Sequence, residues 1–478
     1  MKIIDTSKLT PRSLKPQERA WVYNGLDACV TYEVLDVLLP QLDKVRSRTY
    51  DFSRDLQGPV LDMRIHGVKV DMARRAEVTE QYYQDLDRLE TNLERIVREG
   101  FDFIGFNWRS PPDLRTLFYD ICRIPTIFTK AGRPTVNRAA LEKMEAYTIA
   151  QPIIKHMKAM RDIKKRLDVL KTEIDHDGRI RTSYNIAGTN TGRFSSSFSE
   201  FGTGGNLQNI EESLRSIFIA DDGMKLANFD AEQGESRCVG AVEWNLFRKS
   251  EYLDTCESKD MHLAVAQMCG LGPDSRQMCK VLGHGTNYGG KPQTMTSHTG
   301  IKLPVIVDFQ HKYFRAFPAH QMWHAWVEEQ IRSYGWIINL AGRKRHFFGR
   351  RDSPDVIREA IAYDPQGSLS DIVNQGMLNV WKANDCQLLM QIHDSIVVQY
   401  PEEQEDEIIP KILKQLHNEI PLKHNRTLMI PYGCKTGWNW GDYSQENPDG
   451  LKSYKPGDKR ARTPKVHILD RKLRRTYI

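Results

Sequence analysis

Three short strings, in a fixed order along the chain, contain side chains suited to binding metals and phosphates. They are residues 230–237, residues 276–288 and the pair His393-Asp394. Asp230 follows an apolar segment that is typical of a strand, and Asp394 stands in a turn between two further strand-like segments. Carboxylates at strand ends of one sheet can converge, and such a pair binds hard cations such as Mg²⁺. Two metal ions about 4 Å apart can activate an attacking hydroxyl and stabilise the leaving oxygen of a phosphoryl transfer.

The second string predicts a phosphate-binding helix. Its four polar side chains are spaced by four residues: Arg276, Lys280, His284 and Tyr288. Each such step advances about 40° around an α-helix, so the four side chains share one face about 18 Å long. Their order suits a triphosphate at one end and a sugar and base at the other. An ordinary solvated basic face is the alternative interpretation.

Four glycines interrupt the same helical pattern, at positions 283, 285, 289 and 290. Glycine costs about 1 kcal/mol per position inside a helix. The pattern therefore predicts that something, such as a base pair, approaches this backbone closely.

The elements that must position these strings are mainly helical, with a few strands near the carboxylates. Helices are predicted over 21–42, 72–100, 139–172, 305–334 and 354–383, with an irregularity at Pro365, and one opens at Ser110-Pro111-Pro112. Residues 49–61 form an amphipathic segment, and residues 232–290 are predicted to be mainly helical. Strands are predicted over 225–229, 336–340, 387–392 and 396–400, with short strands and loops across 179–220.

The composition is that of a globular protein with a basic end. Hydrophobic residues make up 40% and charged residues 27% of the 478 residues, and no apolar run approaches the roughly 18 residues of a membrane span. The eight cysteines form no CxxC pair and the N-terminus lacks a signal-peptide pattern, so a reducing cytoplasmic location is expected. Residues 451–478 carry a net charge of +8, against +6 for the whole chain. This tail predicts either a polyanionic partner such as nucleic acid or a solvated, disordered segment.

At least six ordered motifs, from about Tyr23 to Gly441, resemble the polymerase portion of family A DNA polymerases. That group includes bacterial DNA polymerase I and several phage replicases. The resemblance implies an α+β fold of the right-hand type, with an antiparallel palm sheet and helical fingers and thumb. It also implies template-directed addition of deoxynucleotides to a primer 3′ end with two Mg²⁺ ions, for which Mn²⁺ could substitute. A phage or plasmid-like replication setting is expected, with the host cytoplasm as the location if the chain is phage-encoded.

The resemblance further implies roles for single residues. Asp230 and Asp394 would be catalytic metal ligands, and Ala231 would lend its backbone carbonyl to the metal. Glu235 would exclude a ribose 2′-hydroxyl, and the other implied nucleotide-binding residues are His262, Arg276, Lys280, His284 and Tyr288. The implied primer-template contacts are Arg193, Asn206, Gln208, Arg358, Gln366 and His393.

Three positions depart from the family pattern. His284 stands where Phe or Tyr is usual, Ser395 replaces a third carboxylate, and Ala362 replaces an Asn. Activity is expected to survive, because both metal-binding aspartates are present. Serine after His-Asp also occurs in single-subunit phage RNA polymerases, which are one alternative, although Glu235 argues against it. A non-catalytic DNA-binding replisome subunit is the other alternative.

The segment from Tyr23 to Asp27 resembles the last motif, YxxxD, of the 3′–5′ proofreading exonuclease domain. The Asp-x-Glu motif that supplies most metal ligands of that domain does not precede it, so the chain is expected not to proofread by itself. The segment is interpreted as a structural remnant. Alternatively, a separate exonuclease docks here and uses Tyr23 and Asp27.

The resemblance implies an organisation in six parts and a set of partners. The parts are an exonuclease remnant and connector (1–71), thumb (72–180), first palm part (181–248), fingers (249–345), second palm part (346–442) and basic tail (443–478). The expected partners are primer-template DNA, deoxynucleoside triphosphates and an exonuclease or other replisome protein at the N-terminus. No membrane partner is expected.

Overall fold

The computed structural model of the chain describes residues 15–129, 131–199, 202–458 and 460–462. The helices are α1 (Pro16–Leu38), α2 (Lys44–Asp55), α3 (Gln57–His66), α4 (Met72–Phe101), α5 (Pro111–Arg115), α6 (Arg138–Met144), α7 (Gln151–Leu170), α8 (Gly234–Phe247), α9 (Glu251–Ser258), α10 (Met261–Met268), α11 (Arg276–Asn287), α12 (Pro292–Thr299), α13 (Leu303–Ala316), α14 (Ala319–Ser333), α15 (Pro354–Ala383) and α16 (Glu405–Leu416). The strands are β1 (Val68–Val70), β2 (Arg179–Ile180), β3 (Ser183–Asn185), β4 (Ser195–Ser197), β5 (Phe218–Ile219), β6 (Met224–Ala231), β7 (Trp336–Ile338), β8 (Lys344–His346), β9 (Gln387–Ile392), β10 (Ser395–Pro401), β11 (Ile420–Leu422), β12 (Arg426–Leu428), β13 (Tyr432–Gly437) and β14 (Lys452–Ser453).

The described residues form two compact units that are discontinuous in sequence. Unit 1 takes its residues from Met1–Gln57, Glu235–Asp371 and Ile420–Leu428, and unit 2 takes the remaining ones, from Gly58–Gly234, Ile372–Glu419 and Met429–Ile478. The predicted boundaries of thumb, palm and fingers stay predictions. No helix among the described residues is both long enough and apolar enough to cross a membrane.

The main sheet of unit 2 is antiparallel, in the strand order β14-β13-β6-β10-β9. Along β6, Ala227, Phe229 and Ala231 are buried. Because side chains alternate between the two faces of a strand, Asn228 and Asp230 lie on the opposite, more open face. The bounds of β6, β9 and β10 confirm the strand predicted to lead into Asp230 and the two strands predicted on either side of His393-Asp394.

The helical part of unit 2 is built on α4, which packs against α7. Leu93 and Val97 of α4 and Met157 of α7 are fully or almost fully buried in the shared apolar cluster. The prediction of one helix over 139–172 is wrong, because the chain leaves the helix after Met144 and re-enters it at Gln151. Pro152 occupies the first turn of α7, where its missing N–H costs nothing.

The core of unit 1 is a cluster of side chains from α8 to α15 around the fully buried Trp323. The helix predicted over 305–334 is two helices, since α13 ends at Ala316 and α14 begins at Ala319 with Pro318 between them. The predicted N-terminal helix is confirmed as α1, which starts earlier than expected, with Pro16 in its first turn. None of the residues of α1 is buried.

Helix α15 continues through Pro365, where only an irregularity was expected, and its buried acidic residues hold the β7–β8 hairpin. The Asp364 carboxylate accepts hydrogen bonds from the Leu340 N–H at 3.1 Å and the Ser368 hydroxyl at 2.9 Å. Burial raises the pKa of Asp364 to about 7, although both hydrogen bonds oppose the shift. The carboxyl group of Asp364 is therefore more readily protonated in the folded protein than in the unfolded chain.

This pKa predicts how stability depends on pH. The ordinary pKa of Asp is 3.8, so the folded protein binds more protons than the unfolded chain between about pH 4 and pH 7, and its stability falls as pH rises through that window. Asp364→Asn keeps an oxygen acceptor but no charge. Relative to the wild type, we expect this variant to gain at least about 1 kcal/mol of unfolding free energy between pH 4 and pH 8, measured by urea titration.

The control for that experiment is Asp371→Asn, which removes the ion pair with Arg343 (2.7 Å). This variant should be less stable than the wild type at both pH values. A difference between wild type and Asp364→Asn that does not change with pH would contradict the prediction.

Candidate active site

In unit 2 one predicted metal-binding aspartate, Asp230, lies on β6, and the other, Asp394, lies in the turn that leads into the neighbouring strand β10. Asp230 of β6 is paired with Ser395 of β10, the residue directly after Asp394. The Ala231 N–H donates to the Asp394 backbone carbonyl at 3.1 Å. The Asp230 side chain is exposed and that of Asp394 is half-buried. The backbone pairing therefore brings together two carboxylates that are far apart in sequence.

The turn that carries Asp394 is a two-residue hairpin between β9 and β10, with Ile392 and Ser395 paired at its base. His393 adopts a left-handed backbone conformation (φ 54°), which histidine tolerates better than most residues. The Ser395 hydroxyl is buried and donates to the Ile392 carbonyl at 3.1 Å. The serine that replaces a third carboxylate thus closes the turn.

Two buried glutamines, Gln208 and Gln391, hold this turn by hydrogen bonds on its buried side. The Gln391 side-chain amide donates to the His393 carbonyl at 2.8 Å. The Gln391 side-chain oxygen Oε1 accepts a hydrogen bond from the Gln208 side-chain amide at 2.9 Å. The Gln391 backbone N–H donates to the Tyr184 hydroxyl at 3.2 Å. Gln208 was predicted to contact DNA, and its side chain lies in this internal network; Gln391 and Tyr184 were not predicted as site residues. The sequence signal for Gln391 is a polar residue within an otherwise apolar strand, two positions before His393.

The donor chemistry beside Asp230 fits magnesium. Asp230 and Glu232 line an open cleft of about 380 Å³, together with Asn228, Lys435 and the backbone of Gly433. Mg²⁺ uses one or two carboxylates and completes its coordination with phosphate oxygens and water. Within the described ranges, no group of three or more His, Cys, Asp or Glu side chains is placed to hold a metal ion. Asp230 and Glu232 bring carboxylate oxygens to this cleft, and Asp394 lies in the neighbouring turn, whose backbone is hydrogen-bonded to Ala231.

In unit 1 the predicted phosphate-binding face lies on α11. Arg276 and Lys280 are exposed and His284 is half-buried, whereas Tyr288 follows the last helical residue. Two nitrogens of the Arg276 guanidinium donate to one oxygen of Asp260, at 2.8 and 3.1 Å. Although burial opposes it, this contact lowers the pKa of Asp260. The cationic groups of Arg276 and Lys280, in the first turns of α11, are thus exposed to solvent, and Asp260 orients the first of them.

His262 lies beside this face, with its ring 5.9 Å from that of His284. Burial lowers the pKa of His262 to about 4, and the nearby His284, Arg276 and Lys280 act in the same direction. At neutral pH the imidazole is uncharged. His262 can donate a hydrogen bond to a phosphate, while the positive charge comes from Arg276 and Lys280.

Tyr288, Glu235 and Gln366 meet at the other end of α11. The Tyr288 hydroxyl donates a hydrogen bond to Glu235, and the Gln366 amide is 3.5 Å from the same carboxylate oxygen. Burial raises the pKa of Tyr288 well above its usual range, and the Glu235 charge adds to this shift. The phenol therefore remains a donor. Three residues predicted to contact the nucleotide or the duplex are thus connected.

Of the four glycines, Gly283 and Gly285 lie in α11 and Gly289 and Gly290 follow its end, and internal contacts restrict the space at two of them. A Cβ at Gly285 would lie 2.7 Å from the Met295 side chain, and one at Gly290 would lie 2.6 Å from the Gly285 carbonyl. Gly289 has φ 68°, so it also ends the helix in a conformation that favours glycine. The glycines of this segment permit close packing of α11 and α12.

The remaining predicted residues are distributed over both units. In unit 2, Arg193 is half-buried, and the Asn206 side chain accepts from the Ser196 hydroxyl at 2.6 Å and the Gln208 N–H at 3.0 Å. In unit 1, Arg358 is ion-paired with Asp355. Tyr23 and Asp27 are exposed on α1, one helical turn apart.

Comparisons with known proteins connect this geometry to a family. The family model described as DNA polymerase family A matches residues 73–442. DNA polymerase I of Deinococcus radiodurans is 27% identical over 442 residues, which cover 87% of this chain and 44% of that protein. The thermostable DNA polymerase I of Thermus thermophilus is 25% identical over 399 residues, which cover 78% of this chain and 46% of the relative. The chain spans about half the length of these curated relatives.

A solved structure supports the fold. The POL domain of Pol1 from M. smegmatis, in complex with DNA primer-template and dNTP, aligns with a TM-score of 0.74 at 23% identity, over 87% of this chain and 75% of that chain. This likeness confirms the predicted right-hand polymerase fold. Because the family model covers most of the chain, the chain belongs to DNA polymerase family A, as its motifs predicted.

The glutamine pair below the His393-Asp394 turn can be tested by its energetic coupling. Leucine at Gln208 or Gln391 leaves a buried amide without its partner, which costs roughly 1–3 kcal/mol. We expect Gln208→Leu and Gln391→Leu each to lower the unfolding free energy by this amount. The double variant should lose at least about 0.5 kcal/mol less than the sum of the two single losses. Additive losses, measured by urea unfolding, would contradict the contact.

Proposed function

We propose that this protein is a DNA-directed DNA polymerase that adds deoxynucleotides to a primer 3′ end on a template. The observation that carries the proposal is the pairing of β6 with β10, which holds Asp230 beside the Asp394 turn. The family membership and the exposed cationic face of α11 support it. In the reaction the primer 3′-hydroxyl attacks the α-phosphate of the incoming triphosphate, and pyrophosphate leaves.

Each group has a part in this reaction. Asp230 and Asp394 would hold two Mg²⁺ ions, with Mn²⁺ as a substitute, and the Ala231 carbonyl would be a further ligand. When bound, these ions supply the charge that activates the hydroxyl and neutralises the leaving oxygens. Arg276 and Lys280 would bind the triphosphate. Catalysis then rests on positioning and charge rather than on a covalent intermediate.

Glu235 supports a preference for deoxynucleotides over ribonucleotides. Its carboxylate accepts from the Tyr288 hydroxyl and faces the Gln366 amide, so it occupies a fixed position. A carboxylate held in this way would leave a ribose 2′-hydroxyl without room. This argument favours a DNA polymerase over the single-subunit RNA polymerase to which the His-Asp-Ser sequence also points.

The duplex contacts and the biological setting belong to the same proposal. Primer-template DNA would be contacted by Arg193, Asn206, Arg358, Gln366 and His393, whereas the buried Gln208 would act indirectly, by supporting the His393-Asp394 turn through Gln391. The setting would be phage or plasmid-like replication in the cytoplasm. Proofreading would come from a separate exonuclease that docks at α1, where the exposed Tyr23 and Asp27 are accessible to a partner.

Primer extension tests the proposed activity. With Mg²⁺, a primed template and dNTPs, the wild type should extend the primer, and Asp230→Asn or Asp394→Asn should lower the rate by about a hundredfold or more, because each removes a charge that holds the metal ions. The control is Asp222→Asn, an exposed acidic residue of the same unit, 3.4 Å from Lys69; it should extend normally. Extension by both active-site variants would refute the assigned roles, and no extension by the wild type would favour a non-catalytic subunit.

The proposed exonuclease partner is tested on a primer with a mismatched 3′ end. We expect no removal of the terminal nucleotide by the chain alone, and removal when the correct nuclease is added. Asp27→Ala should abolish that gain, whereas Glu33→Ala, an exposed acidic residue on the same helix, should leave it intact. Removal that is insensitive to Asp27, or removal by the chain alone, would contradict the proposal.

A further inference from the structure

A buried polar network lies within unit 1 at the end of α11. All of its members are buried in the core of this unit except His324, which is half-buried. The members are Ser236 and Glu243 of α8, Ser250, Tyr252 of α9, Asn287 of α11, Tyr313 of α13, and His320 and His324 of α14.

Asn287 is the centre of this network and is the residue directly before Tyr288. Its Oδ1 accepts from the Tyr313 hydroxyl at 2.7 Å and from His320 Nε2 at 2.9 Å, and its Nδ2 donates to the Tyr252 hydroxyl at 3.0 Å. Its backbone carbonyl accepts from His324 Nε2 at 2.8 Å. The amide and the carbonyl of Asn287 are thus fixed by four side chains.

The orientation of His320 is set in turn by Glu243. Because Asn287 Oδ1 is an acceptor, His320 Nε2 carries a proton, and His320 Nδ1 lies 2.5 Å from Glu243 Oε1. Neither of these two atoms has another hydrogen-bond partner in the described part of the chain. Glu243 Oε2 accepts from the Ser250 hydroxyl at 2.6 Å. Both Glu243 and His320 are completely buried.

Tyr252 connects the same network to Glu235. Its hydroxyl accepts from Asn287 and donates to the Ser236 hydroxyl at 3.2 Å, and Ser236 directly follows Glu235. Tyr288 and Glu235 are themselves joined by a hydrogen bond. The network therefore holds the immediate chain neighbours of both residues, and through them their side-chain pair.

Stability alone gives a weak reason for such a network. A buried ion or polar pair is often no more stabilising than apolar residues of similar size. A fully connected polar network does, however, specify one geometry, since each displaced donor or acceptor loses its partner. The residues next to this network are Glu235, which was predicted to exclude a 2′-hydroxyl, and Tyr288, which was predicted to bind the nucleotide.

We infer that Glu243, His320, Asn287 and Tyr252 are positioning residues that set Tyr288 against Glu235 and thereby determine how strictly a 2′-hydroxyl is excluded. The inference rests on the proposed polymerase function and adds residues that do not touch the nucleotide. Loosening the network lets the Glu235–Tyr288 pair shift and admit the extra hydroxyl. The selectivity for deoxynucleotides falls while the catalytic aspartates are unchanged.

The test compares two tyrosines that each lose one buried hydroxyl. Tyr252→Phe removes the link between Asn287 and Ser236, whereas Tyr363→Phe removes a 2.8 Å hydrogen bond to the Arg343 carbonyl, also in unit 1. The ratio of kcat/KM for dNTP over rNTP is measured by single-nucleotide primer extension, together with thermal unfolding. We expect the ratio to fall by about tenfold in Tyr252→Phe, mainly through a lower KM for the ribonucleotide, and to be unchanged in Tyr363→Phe.

A second pair of variants acts further from the nucleotide. Glu243→Gln can donate its amide to His320 Nδ1 and leave Nε2 as the donor to Asn287, so it should retain the wild-type ratio, whereas Glu243→Leu should lower it. Wild-type ratios in both folded Tyr252→Phe and folded Glu243→Leu would overturn the inference, as would an equal loss in Tyr363→Phe. If the wild type does not extend primers, the proposed function fails instead, so the two failures are distinguishable.

Discussion

The antiparallel pairing of β6 with β10 is the constraint on which the proposed catalytic site of unit 2 depends. It places Asp230 opposite Ser395 and ties the Ala231 N–H to the Asp394 carbonyl. A shift of this register by one residue would turn Asp230 towards the buried face, because strand side chains alternate. The apolar residues of β6 and β10 fix the register by their burial. The strand register that packs the apolar side chains of the sheet is therefore the same register that places the carboxylates.

Both units use the same way of holding a residue to which a function is proposed. In unit 2, the buried Gln391 amide holds the carbonyl of His393, and in unit 1 the buried Asn287 amide anchors the residue before Tyr288. In each case an accessible or partly accessible side chain is oriented by an inaccessible amide nearby in sequence. The amide finds its partners on other elements, so the orientation depends on the tertiary fold.

Several local features follow from sequence patterns for simple reasons. The four-residue spacing predicted that Arg276 and Lys280 share an exposed helical face, and α11 has that face. The two-residue turn between apolar strands was predicted for His393-Asp394 and is present. The prediction of one helix over 139–172 was wrong because the helical spacing of apolar residues does not reveal a short break in the backbone. Pro152 fits the first turn of a new helix, but it did not by itself indicate that a helix begins there. The glycines in and after α11 were interpreted through a ligand, whereas the close Gly285 carbonyl accounts for Gly290, and the Met295 side chain packs against Gly285.

The sequence by itself determined the chemical groups and their order: two aspartates at strand ends, a basic helical face, and the motifs of family A polymerases. These properties depend on residue types and on short spacings, and both can be read directly from the sequence. The tertiary structure alone decided that Gln208 meets Gln391, that Tyr288 donates to Glu235, and that Glu243 lies against His320. The pKa values of His262 and Asp364 also belong to this second group. Contacts between distant segments and burial set these properties, and no local pattern encodes either one.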